Sequence, residues 1–205
     1  MKPEEIEKLS FQIIETETGP HRFPPDQWTI VRRIIHTSAD FEYLETVRFH
    51  PKAIANGITS IRNGCTIVTD TNMAKVGMRE RDLSRFGVSV NCYMSDPAVG
   101  ETALKNGSTR AKAAVDKAVA EVEEGIYVIG NAPTALLHLV DLVRQGVGRP
   151  ALIIGFPVGF VNAAESKAAL MEQPLPYITN VGRKGGSNVA AAVINAMVLM
   201  ALANN

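Results

Sequence analysis

The chain has 205 residues, 46% of them apolar and 20% charged, which suits one compact domain with a real core and excludes the disordered and fibrous classes. Its 21 basic residues balance 21 acidic ones, so it lacks the overall positive field that draws nucleic acid or acidic membranes. The opening MKPEEIEKLS has no apolar leader segment, and Cys65 and Cys92 make neither a disulfide framework nor zinc-ligand spacing. A cytoplasmic protein is expected, with neither nucleic acid nor membrane among its partners.

In chain order, EEIEKLSFQIIETE predicts a helix whose Ile6, Leu9, Ile13 and Ile14 form one apolar stripe. A second helix starts at FPPD, with Pro25 in its first turn and Asp26 favourable to the dipole, and continues through TIVRRIIH. Trp28, Val31 and Ile35 then face the core. Arg32 and Arg33 precede His36 by four and three residues and share its surface. Asp40 is close enough to orient the imidazole if the helix persists or turns back sharply. This is an acid/base group flanked by anion anchors; a solvated helix face with a capping histidine is the plain alternative.

From the middle onward, short apolar runs alternate with helical patterns. CTIVTD (65–70), VSVNC (88–92), IYVIGN (126–131), ALIIGF (151–156) and PYITNV (176–181) read as strands. Helices are expected over 109–124, 133–145, 163–173 and 188–203. Strands apolar at nearly every position are covered on both faces, and the alternation implies right-handed crossovers onto a mostly parallel sheet. The expected fold is α/β: a three-layer α/β/α sandwich with about five strands, one domain over residues 1–205 with a helical N-terminal segment. Residues 187–205 carry no charge, yet Asn188, Asn195, Asn204 and Asn205 interrupt or flank the run. A membrane span needs about 20 apolar residues, so this is expected to be a buried core or dimer-interface helix.

In open α/β sheets ligands bind beyond the carboxyl ends of the strands. The segments there are polar and glycine-rich: TDTNM, GNAPT, GFPVGFVNAAES and GRKGGSN. GRKGGSN brings Arg183 and Lys184 to a helix start, which suits carboxylate or phosphate, although a glycine turn with solvated basic residues would look the same. Arg110, at the start of a helix where acids are favoured, accepts an unfavourable dipole, as a ligand-binding cation would. No GxGxxG, GxxxxGK[ST], GxSxG or HExxH motif is present. His138, inside an apolar helix, reads as a satisfied core or surface histidine, and His21 and His50 have no evident partner.

Taken together, VRRIIHTSADFEY, IVTDTNMAKVGM, GNAPTALLHLV, GFPVGFVNAAESK and GRKGGSNVAAAVINA, in order from residue 31 to 196 and with KLSFQIIE before them, resemble the precorrin-8X methylmutases of cobalamin biosynthesis and their cobalt-precorrin-8 counterparts. The resemblance implies an isomerase that moves a methyl group from C11 to C12 of a corrin precursor, without an added cofactor, as a homodimer with an α/β/α fold. It places the catalytic histidine at His36 and substrate contacts at Ser10 and Arg33. Arg32 joins them as a neighbouring anchor. Motif position and the strand-end argument add Asp70, Arg110, Asn131, Arg183 and Lys184 to the pocket. No protein metal site is expected; cobalt, where present, arrives inside the macrocycle. HTSADFEY looks more like the cobalt-dependent branch. Two other classes compete: a carrier that holds the corrin without reacting, and an unrelated Rossmann-like enzyme acting on a nucleotide or sugar phosphate.

Overall fold

The computed structural model describes residues 2–203, so Asn204 and Asn205 of the charge-free run lie outside the described residues. Six strands form one sheet in the order β1-β6-β5-β4-β2-β3. They are β1 (Val47–Phe49), β2 (Thr66–Thr69), β3 (Ser89–Asn91), β4 (Ile126–Ile129), β5 (Leu152–Gly155) and β6 (Tyr177–Asn180). The five runs expected from sequence are all present and mutually parallel. The sixth, β1, is a three-residue edge strand paired antiparallel to β6, with Val47 opposite Asn180 and Phe49 opposite Ile178. VRF is too short, and too interrupted by Arg48, to announce itself; its partner defines it as a strand.

Side-chain alternation along the strands builds two cores. Ile67, Ile126, Val128, Leu152, Ile154 and Ile178 face one layer. That layer contains α2 (Pro25–Ser38), α4 (Ala53–Arg62) and α11 (Ser187–Ala203), with α1 (Pro3–Thr18) outside α2. Val68, Tyr127, Ile129 and Ile153 face the other layer, formed by α8 (Arg110–Glu121), α9 (Pro133–Arg144) and α10 (Ala163–Met171). This is the three-layer sandwich. Shorter helices, α3 (Tyr43–Thr46), α5 (Asn72–Val76), α6 (Glu80–Ser84) and α7 (Pro97–Lys105), complete the connections.

The charge-free α11 is a core helix. Eleven of its residues are buried within this one chain, from Ser187 and Val189 to Ala201, so no second chain is needed to cover it. Among the described residues no helix is long and apolar enough to cross a membrane. The stripe expected on α1 is split: Ile14 is 7% exposed, whereas Ile6, Leu9 and Ile13 are 51%, 43% and 48% exposed. The face of α1 that meets α2 is the one bearing Glu7, Phe11 and Ile14. Arg33 pairs with Glu7 at 3.1 Å and Arg32 with Glu15, while both guanidiniums lie over the Phe11 ring. Charge and cation–π contacts turn Ile6, Leu9 and Ile13 outward.

Candidate functional site

The strand order reverses between β2 and β4: β3 lies on one side of β2 and β4 on the other. A crevice opens at such a switch point beyond the carboxyl ends of the two strands. Asp70, directly after β2, reaches across it. Its Oδ1 accepts the Gly130 N–H at 2.9 Å, and its Oδ2 accepts those of Asn131 at 2.8 Å and Ala132 at 2.7 Å. Burial pushes the Asp70 carboxyl up from its ordinary value, and the backbone donors of Gly130, Ala132 and Asn131 oppose that shift. With both oxygens engaged by the main chain, Asp70 shapes the floor of the site and sets the start of α9.

The start of α11 sits on this floor. Ser187 and Thr71 share a hydroxyl–hydroxyl hydrogen bond of 2.8 Å, and a Cβ at Gly130 would stand 2.7 Å from the Ser187 Cα. Only glycine permits that approach. The Asn131 side chain is exposed at the rim.

Helix α2 packs along α11, with Ile30, Val31, Ile34 and Ile35 almost fully buried. Those positions turn His36 and Arg33 toward the seam between the two helices. Together with Thr37, Gly77, Asn188, Ala191, Ala192 and Asn195 they line a recess of about 190 Å³. His36 is exposed there, and the Phe11 ring of α1 lies 5.0 Å from its own. Asn195 holds the far wall, donating to the Gly77 carbonyl at 2.9 Å and accepting the Arg79 N–H at 2.8 Å. Asn188 and Asn195 are seven residues apart, two turns of one helix face. In sequence they read as interruptions of an apolar run; their spacing was the available signal for a polar seam.

Asp40 does not orient His36. Helix α2 ends at Ser38, and Ala39 turns left-handed with φ 52°. Asp40 Oδ2 then accepts from Lys184 Nζ at 2.6 Å, and its Oδ1 from the Glu42 N–H at 3.0 Å. Lys184 also reaches Glu42 at 2.8 Å. The turn at Ala39 carries the carboxylate toward the loop after β6 and leaves the imidazole facing the recess.

The remaining predicted residues fall at varying distance from this centre. Ser10 lies in α1, its hydroxyl donating to the Ile6 carbonyl at 2.9 Å, next to the Phe11 that packs on His36. Arg32 is held by Glu15 and Phe11, alongside Arg33 but outside the lining of the recess. The Arg183 guanidinium lies 5.6 Å from the Phe160 ring centroid, in the loop after β5. Phe160 is 85% exposed, and sequence reasoning did not single it out. Arg110 opens α8 with its guanidinium against Gly100 of α7, toward the β3 edge. The structure thus gathers His36 and Arg33 in one recess, with Lys184 linked through Asp40, and leaves Arg110 apart. A larger groove of about 470 Å³, between Asn56, Glu124, Arg149 and Leu175, opens at the amino ends of the strands and contains none of the predicted residues.

The family model described as precorrin-8X methylmutase matches residues 5–200. A cobalt-precorrin-8 methylmutase of Priestia megaterium is 47% identical over 201 residues, covering 98% of this chain and 89% of the relative. One from Salmonella typhimurium is 45% identical over 203 residues, covering 96% of this chain and 95% of the relative. The crystal structure of a precorrin-8X methylmutase from Thermus thermophilus superposes with a TM-score of 0.89 at 43% identity, covering 97% of this chain and 98% of that one. The chain therefore belongs to the precorrin-8X methylmutase family.

Proposed function

We propose that the protein is a cobalt-precorrin-8 methylmutase: an isomerase that shifts a methyl group from C11 to C12 of the corrin precursor, with His36 as acid/base. The observation that carries this reading is the shared recess, in which an imidazole and a guanidinium face the same space between α2 and α11.

The chemistry asks little of the protein beyond that. A methyl on C11 leaves that carbon saturated and interrupts conjugation. In a suprafacial 1,5-shift the C11–methyl bond breaks as the C12–methyl bond forms, and the product is an isomer of the substrate. A proton lent to the ring makes its π-system electron-poor and lowers the barrier; it returns to His36 once the methyl has moved. Arg33 and Arg183 are suited to the peripheral acetates and propionates, because a guanidinium binds a carboxylate in two parallel hydrogen bonds. Ser10, Arg32, Asn131 and Arg110 are assigned to outer side chains of the ring. Asp70 acts by holding the Gly130–Ala132 floor, and Lys184 by bracing the segment after α2. Rigid anchoring keeps the reacting face against His36.

The names of the relatives support the cobalt-containing ring as substrate, as does HTSADFEY; the metal would be part of the substrate, and the protein would supply no cofactor. A recess of about 190 Å³ is smaller than the roughly 300–1,000 Å³ of a usual small-molecule site, so one chain encloses only an edge of a macrocycle. A homodimer, with the outward Ile6, Leu9 and Ile13 of α1 covered, fits both observations. Sedimentation tests it: a dimer in wild type that dissociates in Leu9→Glu is expected, and a wild-type monomer that turns over substrate would exclude it.

Anaerobic incubation with cobalt-precorrin-8 and, separately, precorrin-8, followed by visible absorption, tests the assignment. Turnover of the cobalt ring supports the full reading; turnover of only the metal-free ring moves the protein to the other branch. Binding of either ring without reaction would make it a carrier.

A further inference from the structure

Lys167 is a fully buried lysine on α10, with no exposed surface at all. Its ammonium donates to Asn180 Oδ1 at 3.2 Å and to the Lys184 carbonyl at 2.6 Å. Asn180 Nδ2 in turn donates to the carbonyls of Lys184, at 2.9 Å, and Val181, at 3.2 Å. These partners are all neutral amide oxygens. Burying a cation without a counter-ion is costly, and a methionine of similar length would fill the space without that cost. Consistent with an uncompensated charge, burial pushes the Lys167 pKa down to about 8.

The object of these bonds is a single loop. Residues 181–186 carry Arg183 and Lys184, and Lys167 and Asn180 both grip the Lys184 carbonyl from beneath. From the side, the Gly186 N–H donates to the Phe156 carbonyl at 2.9 Å and the Gly159 N–H to the Arg183 carbonyl at 3.2 Å. A Cβ at Gly185 would collide with the Phe156 carbonyl oxygen. From above, the Lys184 ammonium reaches Asp40, four residues beyond His36. The buried amine is therefore one of the groups that fix the backbone from which Arg183 and Lys184 project.

We propose that Lys167 is a positioning residue of the substrate site, its buried ammonium holding the Val181–Lys184 loop so that Arg183 meets a peripheral carboxylate of the ring and Lys184 braces the segment after His36. This inference rests on the function proposed above. A group kept at a cost to stability beneath a binding loop is a common sign of function, since active sites tolerate local destabilisation that the rest of the fold does not.

The test is Lys167→Met in the full-length protein, with wild type in the same assay. The variant is expected to fold, to show a KM for the corrin substrate raised about tenfold or more, and to keep kcat within about threefold, the pattern of lost ground-state anchoring. Binding of a corrin whose peripheral carboxylates have been converted to amides should be unchanged. An unaltered KM, whatever the melting temperature, would overturn the inference, as would equal losses for the carboxylate and amide rings. Should Lys167→Met not fold, Lys167→Gln, which keeps an N–H donor, is expected to fold with KM raised; failure of both variants to fold would make the lysine structural and also overturn it. A wild type that neither binds nor turns over any corrin would remove the proposed function and this inference with it. An active wild type and a variant with the same KM as wild type would remove this inference alone.

Discussion

Lys184 and Asp40, 144 residues apart in sequence, meet at 2.6 Å and tie the loop after β6 to the segment that follows the catalytic-candidate helix. Burial alone would raise the Asp40 carboxyl; the Lys184 ammonium and the Glu42 N–H outweigh it and hold it below its ordinary value of 3.8. A depressed carboxyl contributes stability above its unfolded value and loses it as pH falls through its folded one. Asp40→Asn is therefore expected to lower stability by less than about 1 kcal/mol near neutrality, because the pair is partly exposed. In acid-unfolding curves, the difference from wild type should disappear below the folded pKa of Asp40.

Removing the imidazole should separate chemistry from binding. His36→Ala is expected to bind the ring with near-normal affinity while turnover falls by a factor on the order of 10² to 10⁴, the usual contribution of a positioned acid/base. Single-turnover kinetics alongside a binding titration check this. Normal turnover would remove His36 from the mechanism.

The Asp70 carboxylate has no spare oxygen: each is an acceptor for main-chain N–H groups at the crevice floor. In Asp70→Asn one of those oxygens becomes an NH₂ that faces donors. The expected cost is about 1–3 kcal/mol of stability, with a displaced Gly130–Ala132 turn and raised KM. Chemical denaturation and steady-state kinetics measure the two effects.

Lys167 gives a pH signature of the same sense in an alkaline window. Its folded pKa of about 8 lies below the ordinary 10.5. Between these values the unfolded chain binds the proton and the folded chain does not, so stability gained from this group rises with pH across that window. Below pH 8 the burial penalty is fully present, of order 3 kcal/mol for a depression of this size. Relative to Lys167→Met, wild type should gain stability from pH 8 to 10.5; a difference flat across that range would show the lysine to be hydrated or otherwise paired.

The layers and the five parallel strands were legible because β4 and β5 are buried at every position, which leaves continuous apolar runs in the sequence. His36 and Arg33 were legible because helical spacing alone makes them neighbours. Asp40 was misplaced because the left-handed turn at Ala39, a non-glycine residue, has no local signal. The outward stripe of α1 was missed because Glu7, Phe11 and Glu15 compete with the isoleucines for the inner face. Lys167 reads in AAESKAALM like any solvated helical lysine; only the tertiary arrangement of β6 and its loop buries it.

The most direct measurement is NMR of cobalt-precorrin-8 carrying a ¹³C label in its C11 methyl, after anaerobic incubation with wild type and with His36→Ala. The account predicts that wild type moves the labelled carbon from C11 to C12 and that the variant binds the ring but leaves the label in place. A label that stays on C11 with wild type, or moves equally fast without the histidine, would contradict it.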